Sequence, residues 1–446
     1  MRWNDFSPSR PENGLTGAVV FPILLLAAAV CVAQTPPVRL TLQQAEAMAM
    51  QNHPEVLAAQ DTVAAMGQQV VQARAPYYPV VAGDATGSGA NIGARIGAGN
   101  LTTSRLFNRF GTGLNIQQLV TDSGRTPNLV AAARLHQTAS QQTYQATRFD
   151  VLLAVNRAYF DVLRAQATIK VAQETVAERQ TIVDQVTALA NNKLRSMLDV
   201  SFVDVNLSEA KLLLLQAQDE QQEAFAELTR AMGSQQNAVY TLTDEPLPPG
   251  PPAGPEALVT EAIAARPELS SLRAEREAAY RFERAERDLS YPTVSFIGLG
   301  GYIPYIDQIT LPRVIPSEYA GAAVDVHVPI FNGHLFSARR EEAHYRALES
   351  DQRLRNEEES IVRDVRTAWA AASTAFQRLD VTAELLRQAT LALSLAQGRY
   401  DLGLASIVEL TQAQLSLTQA EIENLNAKYD YQSQNAALQY TVGSLR

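Results

Sequence analysis

The chain has 446 residues, 19% of them charged and 46% hydrophobic, with a formal net charge of −10. Those proportions belong to folded proteins, not to disordered segments, and the acidic balance argues against nucleic acid as a partner. The single cysteine, Cys31, allows no disulfide framework, so packing or assembly must hold the fold together.

Arg2 and Arg10 flank the start of an apolar run from Leu15 to Val32, and Cys31-Val32-Ala33 precedes Gln34. This pattern predicts a secretory signal peptide over 1–33, cleaved after Ala33. A lipid anchor on Cys31 is the competing reading, disfavoured because Ala28-Ala29-Val30 lacks the leucine and the small final residue of a lipoprotein signal. Cleavage removes Arg2 and Arg10 together with Asp5 and Glu12, so the net charge is unchanged. Past this segment no apolar run approaches the roughly 20 residues of a spanning helix, and any membrane crossing must be made by strands.

From 38 onward the chain reads as helix of about ten turns, ending near Ala75-Pro76-Tyr77-Tyr78-Pro79. Proline withholds an N–H and disfavours helix at the residue before it, which makes Pro79 a predicted helix-to-strand break. Strand-like segments follow at about 80–94 and 104–120; Gly83, Gly87, Gly89 and Gly93 in the first suit a tightly curved sheet or a loop equally. The next helix is predicted over about 126–192, with Leu152, Val155, Tyr159, Val162, Ala165, Ile169, Ala172, Val176, Val183 and Val186 recurring at near-heptad steps. About 65 residues at 1.5 Å each make a supercoiled rod of roughly 100 Å. A last helix of about ten turns completes a unit over 38–243, and the proline-rich stretch Asp244 to Pro255 reads as extended linker.

Residues 256–446 repeat the unit. Ala265-Arg266-Pro267-Glu268-Leu269 matches Asn52-His53-Pro54-Glu55-Val56, and Tyr291-Pro292 matches Tyr78-Pro79, both 213 residues on, so Pro292 is a second break. Ala368-Trp369, Val408-Glu409-Leu410 and Gly443 match Ala158-Tyr159, Leu198-Asp199-Val200 and Gly233, each 210 residues on. The second copy has strand-like segments at about 293–303 and 318–331 and a long helix at about 333–400. Val324, Val326, Val328 and Ile330 take one face of a strand, Asp325 and His327 the other. The stripe of the second long helix reads Val362, Val365, Trp369, Ala372, Phe376, Leu379, Ala383, Leu386, Leu393 and Ala396. Four strands cannot close a barrel, and an open edge in lipid leaves backbone groups unpaired at several kcal/mol each; oligomerisation must close it.

The fold class predicted is thus mainly α with a small β part, built as a duplicated helix-strand-strand-long helix-helix unit. This order resembles the TolC-like outer-membrane efflux protein family over essentially the whole mature chain. The family-like words are LTLQQAEAMAMQNHPEV, Ala75-Pro76-Tyr77-Tyr78-Pro79, Val328-Pro329-Ile330-Phe331-Asn332-Gly333 and Arg399-Tyr400-Asp401-Leu402-Gly403. The resemblance implies a homotrimer with a 12-stranded barrel in outer-membrane lipid, continued by a periplasmic α-helical barrel. It further implies a passive exit channel of a tripartite efflux or type I secretion system, served by a periplasmic adaptor (membrane fusion) protein and an inner-membrane pump of RND or ABC type. Tyr77, Tyr78 and Tyr291 then either lie at the membrane interface or pack the helix-to-strand corner.

In this family, inner helix tips close the periplasmic end with a tyrosine, an arginine and two successive carboxylates. Tyr400 falls at the tyrosine, Ala405 where the arginine is expected, Glu409 at the first carboxylate and Gln412 at the second. Arg195 is the first-copy counterpart of Ala405, either a relocated latch or an i, i+4 partner of Asp199; Asp199 and Asp204 are further gate candidates. Glu409 is read either as a gate carboxylate or as an acid favoured by the helix dipole after Ser406. Adaptor docking falls to the hairpin tips: Lys193, Leu194, Arg195 and Ser196, with Asp401, Leu402, Gly403, Leu404, Ala405 and Ser406.

Catalysis is disfavoured. His53, His136, His327, His334 and His344 form no metal-ligating spacing, Gly298, Gly300 and Gly301 do not open a helix, and no cofactor or metal site is read. The rival to a channel is an exported coiled-coil tether whose strand-like segments are only loops.

Overall fold

The computed structural model describes residues 38–89, 95–96, 104–105, 109–234, 240–306 and 317–445. The predicted signal peptide lies outside the described residues, as do 90–94 and 106–108 of the predicted strand segments. The first unit consists of β1 (Val38–Leu40), α1 (Leu42–Asn52), α2 (Pro54–Arg74), β2 (Val80–Ser88), two-residue strands β3 (Arg95–Ile96) and β4 (Ser104–Arg105), β5 (Arg109–Thr121), α3 (Arg125–Asn191) and α4 (Met197–Ala231). The second has β6 (Tyr240–Leu242), α5 (Glu256–Ala265), α6 (Pro267–Asp288), β7 (Thr293–Ile306), β8 (Glu318–His327), α7 (Leu335–Asp401) and α8 (Ile407–Val442).

The leading helix of each unit is not one piece. It breaks at His53-Pro54 and at Arg266-Pro267, where the residue before proline is extended (φ −68°, ψ 124° and φ −66°, ψ 125°) as the proline ring requires. The helices also stop before the predicted breaks at Pro79 and Pro292. α2 ends at Arg74 and a 3-10 turn, Ala75–Tyr77, leads to extended Tyr78; α6 ends at Asp288. The two prolines therefore mark strand entry and not the helix end. Tyr77, Tyr78 and Tyr291 are exposed.

β2, β5, β7 and β8 form one antiparallel sheet in that order, so the strand-like segments are strands and not loops. The predicted strand over 318–331 ends at His327, because Pro329 has no N–H for a ladder. Register places Val81, Leu114, Ile116, Phe296, Val324 and Val326 on one face, all exposed. Asp84, Asn115, Gln117, Ser295, Asp325 and Tyr319 lie on the other with Ile297 and Leu299, and there Asn115 Nδ2 donates to Asp84 Oδ2. Gly113 and Gly301 stand beside Tyr319 in this ladder, and a Cβ at either would overlap its side chain. β2 and β8 are the two outer strands.

Each outer element continues into helix. Below the sheet the packing order is α2, α3, α6, α7, which repeats the strand order; farther down it becomes α4, α3, α8, α7. α3 and α7, 67 residues each and about 100 Å long, run through both levels. The seam of α3 follows the predicted stripe over Leu152, Val155, Tyr159, Val162, Ala165, Ala172 and Val186. That of α7 does so only in part, at Val365, Ala372 and Ala396. Against α8 its seam runs through Ala375, Thr382, Ala389 and Ala396 at strict heptad spacing, whereas Phe376 and Ala383 are exposed. Small side chains allow α8 to approach closely, and the larger predicted residues are turned to the flank.

Midway, three side chains fasten the proline-rich segment. Trp369 Nε1 donates to Pro252 O at 2.9 Å, Tyr431 Oη to Pro249 O, and Gln432 Nε2 to Glu245 O at 2.8 Å. At the same level β1 and β6 pair in parallel, and Tyr159 Oη donates to Leu40 O at 3.0 Å and Thr243 O at 2.7 Å.

Candidate gate at the hairpin tips

The turns α3–α4 and α7–α8 are built alike. Lys193 N–H and Leu194 N–H donate to Ala190 O and Leu189 O, both at 2.9 Å; Gly403 N–H donates to Tyr400 O at 2.9 Å and Leu404 N–H to Arg399 O at 2.8 Å. This closure needs a left-handed residue, supplied by Lys193 (φ 60°) and Gly403 (φ 70°). Ser196 and Ser406 then cap the returning helices, accepting from Leu198 N–H at 3.0 Å and Glu409 N–H at 3.3 Å. Leu194, Leu402 and Leu404 project into solvent.

Above the turns, Val186, Val200, Val203, Ala396, Tyr400, Ile407 and Leu410 form an apolar knot drawn from all four helices, with Ala405 packed against it. Tyr400 is only 8% exposed, and its buried hydroxyl has no hydrogen-bond partner among the described residues. Burial raises its pKa above the ordinary value, with Arg195 opposing and Asp199 and Asp401 adding smaller effects. Arg195 stands with its guanidinium 4.6 Å from the centre of the Tyr400 ring.

The predicted Arg195–Asp199 pair does not form among the described residues. Asp199 is engaged at its own helix start, where its Oδ2 accepts from Ser196 N–H at 3.3 Å, completing a capping box. Glu409 pairs with Arg399 of the same hairpin at 3.5 Å, and both are exposed. Gln412 and Asp204 are exposed on α8 and α4. The structure thus brings Tyr400 and Arg195 together, and leaves Glu409, Gln412 and Asp204 at the surface.

Two cross-hairpin contacts went unread in the sequence. Arg179, 4% exposed, donates through Nη1 to Gln414 Oε1, and Asn206 Nδ2 donates to Thr411 Oγ1 at 3.4 Å. Burial lowers the Arg179 pKa, offset by Glu178 and Glu209. The available signal was spacing: Ala172, Thr175, Arg179 and Val186 share one seam at heptad steps, which makes Arg179 a charge at an inward position.

A family model described as outer membrane efflux protein matches residues 47–234 and 258–444. The chain belongs to the outer membrane efflux protein family. Its two matched blocks coincide with the two structural units. Outer membrane protein TolC of Salmonella enteritidis is 22% identical over 311 residues, 68% of this chain and 63% of TolC, so the chain spans a little under two thirds of that relative. The cation efflux system protein CusC of Escherichia coli K12 is 22% identical over 392 residues, 84% of this chain and 82% of CusC. Among solved structures, a membrane protein from Pseudomonas aeruginosa superposes with a TM-score of 0.79 at 21% identity, covering 90% of each chain. A CusC structure superposes with a TM-score of 0.77 at 19% identity, covering 90% of this chain and 92% of CusC.

This outer membrane efflux protein resides in the outer membrane. No described helix is long and apolar enough to cross a bilayer, and the exposed apolar face of the four-stranded sheet is the surface suited to lipid.

Proposed function

We propose that three copies of the chain assemble into a passive exit tunnel through the outer membrane, and that the tunnel receives cargo from a periplasmic adaptor and an inner-membrane pump. The observation that carries this reading is that both lateral edges of the chain are unfinished, all along its length. At the sheet, β2 and β8 each lack an outer neighbour among the described residues, which a bilayer does not tolerate. At the helices, α4 presents Phe202, Val205, Leu212 and Leu215 on the side away from its buried seam of Val200, Val203, Leu207 and Ala210. α7, on the opposite edge, presents Val381, Leu385, Leu391 and Leu395. One edge of a copy fits against the other edge of the next, a heterologous contact that closes into a ring. Three copies supply twelve strands, above the minimum of eight for a barrel.

The tips are then the adaptor surface. Leu194 and Leu404, at matching turn positions, and likewise Leu198 and Val408, leave the same pair of apolar knobs exposed on each hairpin. The units 38–243 and 256–446, joined by 244–255, form the two halves of each copy's wall. The test is the mass of the mature protein in mild detergent with the sheet still folded. Three chains per particle is the expected result, and a stable single chain rejects the reading.

A further inference from the structure

The polar contacts that tie the α3–α4 hairpin to the α7–α8 hairpin near the tips share one chemical feature: their acceptors are neutral. Arg195 covers the ring of Tyr400, Arg179 donates to the amide oxygen of Gln414, and Asn206 donates to the hydroxyl of Thr411. The ion pair described next to the turns stays within one hairpin, Arg399–Glu409 at 3.5 Å, and the carboxylate pair described between the hairpins, Arg164–Asp430 at 3.7 Å, lies farther up the rods. No carboxylate takes part in the three ties.

We propose that the polar ties between the tips of this chain all end on neutral acceptors, with Arg195 on the face of Tyr400 as the outermost, so that neither salt nor mild acid releases them. That these ties hold a tunnel mouth shut rests on the tunnel reading above; the contact itself does not. A guanidinium over an aromatic ring is attracted by the ring's quadrupole, and the phenol hydroxyl is not needed. Here that hydroxyl is buried and unpartnered among the described residues, so it contributes no tie. The charged groups facing the ring are Arg195 from the α3–α4 turn, Asp199 from α4 and Asp401 from α7 itself. Asp199 is held by its own helix cap, and protonating it leaves the Arg195 contact in place. Arg179 is faced by Glu178 and Glu209, and its bond is to Gln414, which does not titrate. Salt screens exposed pairs strongly and half-buried contacts much less.

The test uses the whole mature protein in detergent with spin labels on Lys193→Cys and Leu404→Cys, whose distance distribution reports tip separation. The native pair is expected to keep its short distance from low to molar salt and from pH 7.5 to pH 5. Arg195→Gln raises the separated population about two- to fivefold, the factor that an exposed cation–π contact represents. Tyr400→Phe, which keeps the ring and removes the hydroxyl, leaves the short distance in place. Separation of the native tips by salt or acid, no change with Arg195→Gln, or release by Tyr400→Phe overturns the proposal. Absence of bilayer conductance in the same preparation instead rejects the tunnel reading, since the label distance is measured without it.

Discussion

Gly233 and Gly443 mark the same joint in the two repeats, and substituting each tests how that joint is built. Both end a repeat's last helix in the left-handed conformation (φ +65° and +79°), with their N–H groups donating to Arg230 O at 3.0 Å and Tyr440 O at 2.9 Å. A Cβ on Gly233 would stand 2.7 Å from His53 Cα and 2.8 Å from the carbonyl carbon and oxygen of Asn52, which is the backbone of the α1–α2 break. On Gly443 it would stand 3.3 Å from the Ala265 carbonyl carbon, an approach that a small shift relieves. The left-handed conformation costs an alanine about 1–2 kcal/mol at either site. At Gly233 overpacking against backbone adds about 1–3 kcal/mol, for a loss of about 2–5 kcal/mol, against about 1–2 kcal/mol at Gly443. Heating detergent-solubilised protein at one scan rate, followed by far-UV circular dichroism, gives the order of melting temperatures, which suits a large assembly with no simple two-state equilibrium. Gly233→Ala should melt lowest and Gly443→Ala between it and the native protein. Equal losses, or a Gly233→Ala protein as stable as the native one, refute the backbone contact as the cause.

Other outcomes follow from the same geometry. Gln414→Leu leaves the buried Arg179 guanidinium without its partner and should cost about 1.5–3 kcal/mol, whereas the double change with Arg179→Met should recover most of that; additive losses in the melting cycle would show that the two are not coupled. Burial raises the Glu46 pKa despite the hydrogen bond from Asn156 at 2.7 Å, so the native state holds its proton to higher pH than the unfolded chain, and stability falls as pH rises above the unfolded value. Glu46→Gln should therefore raise the melting temperature at pH 7.5 and give little gain at pH 4; an equal gain at both pH values contradicts this. If the tunnel mouth is lined by Glu409, Glu409→Gln should lower cation over anion selectivity, most at low salt; reversal potentials unchanged there leave Glu409 as the partner of Arg399 and a helix-start acid only.

What the sequence disclosed was chemistry that acts locally. Pro54 and Pro267 force an extended residue before them, and Gly233 and Gly443 supply left-handed caps, so their recurrence at fixed spacing reveals the duplication. The seam of α7 was not legible in the same way. A helix that packs on its own hairpin and also carries a second exposed stripe has apolar residues on two sides, and size pointed to Phe376 and Leu379 where the close contact takes Ala375 and Thr382. Arg195 aligned with Ala405, yet its nearest sequence partner, Asp199, is satisfied by the cap, and the ring it covers is about 200 residues away. The parallel pairing of Val38–Leu40 with Tyr240–Leu242 is three residues long and equally distant in sequence, too short to leave a pattern. Prolines showed that 244–255 is extended; only the structure shows it fastened to Trp369, Tyr431 and Gln432.

Closure of several copies of this chain into a pore is read out by adding the purified mature protein to a planar lipid bilayer and recording current. Discrete, stable conductance steps are expected, and they disappear when the outer edge of β8 is blocked, for instance by proline at Val324 or Val326. A folded, detergent-stable protein that never conducts, or one whose steps survive that block, contradicts closure into a pore.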